Sequence, residues 1–94
     1  MFSIEEDRAV SLDDIRQAKK KTVGTNQTLK ALRQPSGRVV CVYVAKDAEP
    51  RVTEPVVQLA SKLGVPIEWV DTMRQLGKAC GIEVGAASAC ILAE

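Results

Sequence analysis

Val39-Val40-Cys41-Val42-Tyr43-Val44-Ala45 is a continuous apolar run rich in β-branched residues. It does not alternate with polar residues, so the strand it predicts is covered on both faces and belongs in the middle of a sheet. Working outward toward the C-terminus, Lys46-Asp47-Ala48-Glu49-Pro50 forms a polar exit, and Pro55 is expected in the first turn of the helix that follows. Val56, Leu59, Ala60 and Leu63 have the spacing of a buried helical stripe, and Gly64 stands where a C-terminal cap is expected. Ile67-Glu68-Trp69-Val70 predicts another strand. Thr72-Met73-Arg74-Gln75 matches a capping box, with Met73, Leu76, Gly77 and Cys80 on one apolar face and Gly81 as the stop. A loop of small residues from Ile82 to Ser88 precedes a last strand, Ala89 to Leu92.

Toward the N-terminus, Gln34-Pro35-Ser36-Gly37 ends a helix that begins after Gly24. Thr25 or Asn26 is its expected cap, and Leu29 and Leu32 its inward stripe. Thr22-Val23 predicts a short strand, and Ser11 with Asp13 and Asp14 predicts the start of a helix reaching about Ala18. Residues 1–10 fit neither period and are expected to form an arm, leaving one domain over 11–94. Strands alternating with helices indicate an α/β sandwich, a sheet covered by helices on both faces.

The chain has 94 residues, 46% of them hydrophobic and 27% charged, which is the composition of one ordinary globular domain. No apolar stretch approaches the roughly 18 to 20 residues needed to cross a bilayer, and the acidic start is unlike a signal peptide, so a cytoplasmic protein with no membrane association is expected. The three cysteines, Cys41, Cys80 and Cys90, are widely spaced among apolar neighbours and are expected to be reduced and buried. Histidine is absent, which removes the commonest general base and metal ligand. No metal, cofactor or catalytic activity is expected.

A net charge of +1 conceals an asymmetry. From Arg16 to Lys46 every charged residue is basic, whereas Glu5, Glu6, Asp7, Asp13 and Asp14 crowd the preceding segment. Such a run suits an anionic partner or a solvated surface. Within it, Asn26, Lys30 and Arg33 fall at i, i+4 and i+7, with Gln27 beside them, on the face opposite Leu29 and Leu32. Backbone amides at the start of that helix can receive a phosphate, and the side-chain amides can address a base edge. An ordinary amphipathic helix has the same spacing. In the second loop, Gly81-Ile82-Glu83-Val84-Gly85-Ala86, the aliphatic residues either close the end of the core or meet unstacked bases.

The segment from Lys20 to Leu32, with Gly24-Thr25-Asn26-Gln27 and Lys30 at its centre, resembles the signature of the L-seven-Ae and L-thirty-e ribosomal-protein superfamily. Three further motifs follow in the expected order: Val44-Ala45-Lys46-Asp47-Ala48-Glu49-Pro50, Gly64-Val65-Pro66, and Leu76-Gly77-Lys78-Ala79-Cys80-Gly81-Ile82-Glu83-Val84-Gly85-Ala86-Ala87. The likeness spans about Ser11 to Leu92 and is closest to the short bacterial branch of YbxF/YlxQ type. It implies a three-layer α/β/α sandwich with a small mixed central sheet, acting as a monomer on structured RNA containing a kink-turn, in ribosomal RNA or a riboswitch. By the same resemblance, Gly24 and Thr25 lie against the RNA backbone, Asn26 and Gln27 read the guanines of tandem sheared G·A pairs, Lys30 supports them, and Lys21 and Arg33 are further RNA-binding residues. Ile82, Glu83, Val84 and Gly85 form the loop that packs on the bulge, with Ala86 as a further RNA-binding residue. Many members carry glutamate where this chain has Gln27; an amide can donate as well as accept, so selectivity is expected to differ. A protein-interaction module that keeps the fold without RNA affinity is the alternative.

Overall fold

In a computed structural model that describes residues 12–34 and 39–93, the run Val39–Ala45 is strand β2, with Cys41 through Ala45 all buried. The elements before it are helix α1 (Leu12–Gln17), strand β1 (Lys21–Val23) and helix α2 (Thr25–Arg33). Those after it are helix α3 (Pro50–Leu63), strand β3 (Ile67–Val70), helix α4 (Met73–Ala79) and strand β4 (Ser88–Leu92). The sheet order is β1-β4-β2-β3, with β2 and β3 parallel and β4 antiparallel to both β1 and β2. A mixed sheet follows from the chain path, because α3 carries the chain back to start β3 beside β2 whereas β4 returns in the opposite direction. The proposed arm, the Ser11 cap and the Pro35-Ser36-Gly37 stop lie outside the described residues.

Side chains alternate across β2 and divide the core in two. Cys41 and Tyr43 point to one face, where Ile15 of α1 and Leu76 and Ala79 of α4 close over them. Val42 and Val44 point to the other, beneath Ala31 and Leu32 of α2 and Val56 and Ala60 of α3. This is the three-layer α/β/α sandwich, and each fully buried aliphatic such as Val56 contributes roughly 1.5–3 kcal/mol by leaving water. The cysteines are free and buried, as expected. Burial pushes the Cys41 thiol up to about 12, assisted by the nearby Glu68 and Asp14 carboxylates, and raises Cys80 and Cys90 as well.

Three expectations are corrected. α3 starts at Pro50, not near Pro55. Pro50 occupies the first helical turn, where its missing N–H costs nothing, and Pro55 sits inside the helix on its exposed side, where water can reach the carbonyl it leaves without a donor. Leu63 does not belong to the buried stripe; it is exposed in the final turn, just before Gly64 ends the helix at φ 75°. In α2 the buried residues are Thr28, Ala31 and Leu32; Leu29 is half-buried, packing on the core yet lining one groove with Asn26, Lys30 and Arg33, so it is not on the face opposite them.

Candidate nucleic-acid interface

Gly24 joins β1 to α2 at φ 104° and ψ 149°, a backbone conformation strained for any residue with a Cβ. Its N–H donates to the Ser88 carbonyl at 2.8 Å, and its carbonyl accepts the first helical bond, from the Thr28 N–H at 3.0 Å. Gly24 is therefore the N-cap, and no side chain caps the helix. The expected capping by Thr25 or Asn26 is thus corrected. Thr25 turns inward, its hydroxyl 3.1 Å from that of the buried Ser88, and Asn26 is exposed at the second helical position. The amides of Thr25, Asn26 and Gln27 precede the first intrahelical bond, so they remain available to an anion.

Asn26, Lys30 and Arg33 line one groove together with Leu29 and Gln34. Gln27 is exposed beside it without lining it. Lys21 faces elsewhere: its ammonium donates to the carbonyls of Ile15 and Arg16 at 3.0 and 3.3 Å, placing a positive charge at the negative end of α1. Two of its donors are committed to that helix end, which gives Lys21 a structural task in the fold.

The second motif is fixed to α4 along its length. The Ile82 N–H donates to the Gly77 carbonyl at 3.0 Å, and the Ala86 N–H to that of Met73 at 3.0 Å. Between them the Val84 carbonyl oxygen lies where a Cβ on Gly77 would stand, and Gly85 passes so close to Met73 that its own Cβ would be 3.0 Å from that of Met73. The result is a tethered loop with Glu83, Val84 and Gly85 outward and Val84 71% exposed. Ile82 is half-buried against the core and Ala86 is a core residue at 4% exposure, so the side chain of Ala86 is not part of the loop surface. Packing against Tyr43 and its neighbours outweighs exposure for a methyl group at this point in the chain.

Ser88 unites the two motifs. The loop runs directly into it, and it holds both the Gly24 N–H and the Thr25 hydroxyl, so both motifs lie at the same end of the sheet. In the sequence Ser88 reads only as a small loop residue; the signal available is a serine at the entry of an otherwise apolar strand. Also missed were Arg74 and Lys78, which line a groove with Ile82, Glu83 and Val84 and whose i, i+4 spacing on α4 was visible. Lys46, in the basic run, pairs with Asp71 at 3.5 Å, and Asp47 accepts the Met73 N–H at 2.8 Å at the start of α4. Among the described residues no group of three or more histidine, cysteine, aspartate or glutamate side chains could hold a metal, and no helix is long and apolar enough to cross a membrane.

These features make a small α/β/α domain with two candidate recognition features at one end of its sheet, a helix start without a side-chain cap and a tethered aliphatic loop. The chain belongs to the Ribosomal protein L7Ae/L30e/S12e/Gadd45 family, whose model matches residues 9–94. It is 51% identical over 83 residues to a Bacillus pumilus protein described as an RNA-binding protein, covering 88% of this chain and 99% of the relative. It is 43% identical over 83 residues, with the same coverage, to RNA-binding protein YbxF of Geobacillus stearothermophilus. Among solved structures, the Giardia lamblia 15.5kD RNA binding protein superposes with a TM-score of 0.76 at 26% identity, covering 88% of this chain and 71% of that one. The family and its bacterial branch agree with the resemblance carried by the motifs.

Proposed function

We propose that this chain is a non-catalytic RNA-binding protein that recognises and stabilises kink-turn RNA, acting as a cytoplasmic monomer on ribosomal RNA or a riboswitch. The observation that carries the reading is the start of α2, where Gly24 replaces a side-chain cap and leaves three backbone amides beside the exposed amide side chains of Asn26 and Gln27. A phosphate can dock on the backbone amides while the side chains address base edges, which is the division of labour between positioning and reading that RNA recognition needs. The exposure of Glu83, Val84 and Gly85 at the same end of the sheet supports a contact with the bulge, and Lys30 and Arg33 supply charge along the helix. The RNA-binding names of the relatives at 51% and 43% identity support the partner class.

The test is a titration at one salt concentration with a kink-turn RNA and with the same RNA carrying Watson–Crick pairs in place of its G·A pairs. Tighter binding to the first is expected, and equal affinities remove the kink-turn assignment. The exposure of Val84 at 71% favours one other reading, a protein-interaction module using that loop. Failure to bind either RNA would leave that reading in its place.

A further inference from the structure

α2 and α3 pack side by side over one face of the sheet, and the surface between them is a furrow. Its upper part is lined by Asn26, Lys30 and Gln34, its lower part by Pro55, Gln58, Leu59 and Lys62, and Leu29 and Arg33 belong to both parts. The furrow therefore starts at the uncapped end of α2 and runs down past Arg33 to the last turn of α3. α2 contains no acidic residue, and the single acid of α3, Glu54, accepts the Gln58 amide at 3.4 Å. Lys30, Arg33 and Lys62 are exposed cations, none of them in an ion pair among the described residues. Three unpaired charges along a shallow groove with an aliphatic floor match a polyanion whose charges are spaced along a line and whose sugars present apolar faces between them.

We propose that this furrow carries the sugar-phosphate backbone of one stem of the bound RNA, with Lys62 and Gln58 of α3 as RNA-contacting residues. The inference rests on the RNA-binding reading above. Asn26 and Arg33 are seven residues apart, about 10 Å along the helix, and Lys62 shares the lower part of the furrow with Arg33, so a contact there needs a stem that continues from the G·A pairs to that end of α2. Contacts of this kind carry no sequence information; they set the angle at which the stem leaves the protein and add to the salt dependence of binding.

The experiment compares Lys62→Gln with the unmodified protein on two kink-turn RNAs, one with stems a full helical turn long and one with both stems trimmed to the shortest that still kink. Lys62 is exposed in the last turn of α3, so the substitution leaves the fold intact, which circular dichroism checks. The variant is expected to bind the long RNA several-fold more weakly, with a log–log salt slope smaller by about 1, and to bind the trimmed RNA as the unmodified protein does. An unchanged slope on the long RNA overturns the proposal, as does an equal loss on both RNAs. Absence of binding by the unmodified protein to either RNA is a separate result, which overturns the RNA-binding reading itself.

Discussion

Asn26 is the residue at which capping and reading can be told apart. Asparagine is among the best N-caps, and sequence alone left it or Thr25 to fill that role. The structure assigns the cap to Gly24, sends the Thr25 hydroxyl to Ser88 and leaves Asn26 exposed one position further in. This could not be read from the residue types, because it depends on Ser88, more than sixty residues later in the chain. With no capping bond to lose, Asn26→Ala is expected to change stability by no more than about 0.5 kcal/mol. If the amide reads a guanine, the same substitution costs about 1–3 kcal/mol of kink-turn affinity and hardly alters weak binding to a duplex lacking G·A pairs. Thermal melts with paired titrations measure both quantities, and an unchanged ratio of the two affinities removes Asn26 as a base-reading residue.

At the scale of elements, legibility followed locality. β2 was plain from its unbroken apolar run, the end of α3 from Gly64, and the start of α4 from Thr72, whose hydroxyl accepts the Gln75 N–H at 3.0 Å. The start of α3 was misplaced because a proline inside a helix is indistinguishable in sequence from one in the first turn, and Pro50 and Pro55 offered both choices. Leu29 was misjudged because the angle at which α2 meets α3, absent from any local pattern, decides which flank of the helix is covered. In the sequence Gly77 reads only as part of an apolar face, although its missing side chain is what lets the loop after α4 approach. A methyl there would overlap the Val84 carbonyl oxygen, which is backbone and cannot rotate away. Gly77→Ala is therefore expected to destabilise the protein by about 1–3 kcal/mol from overpacking, against the gain of nearly 1 kcal/mol that alanine brings to an exposed helix. RNA affinity should fall with it as the 82–85 loop is displaced. Urea unfolding decides the point: a variant as stable as the parent means the loop does not lie on α4 as described.

The whole molecule keeps its candidate recognition residues and its ionisable core groups in separate regions. Gly24, Ser88 and the residues leading into Ser88 gather at one end of the sheet, while Cys41, Tyr43 and Cys90 lie within it, between the helical layers. The buried thiols and the Tyr43 phenol make stability at high pH sensitive to the core. Burial raises the Cys41 thiol from 9.0 to about 12, and raises Tyr43, Cys80 and Cys90 above their ordinary values. For an acid whose folded pKa lies above its unfolded one, the folded chain keeps a proton that the unfolded chain gives up. The stabilisation is then complete below the unfolded value and is lost as pH climbs through the window between the two, here from about 9 to about 12 for Cys41. Stability should be nearly flat from pH 7 to 8.5 and then decline. Lysines titrate in the same range, so the thiol is isolated by comparison with Cys41→Ala. That variant is less stable at neutral pH because it leaves a cavity beside Tyr43, but it has no thiol to ionise on unfolding. The difference in unfolding free energy between the two proteins should therefore shrink as pH rises from 9 toward 12. Urea titrations at pH 7.5, 9.5 and 10.5 measure it, and a constant difference would show that the Cys41 thiol titrates alike in the folded and unfolded chain.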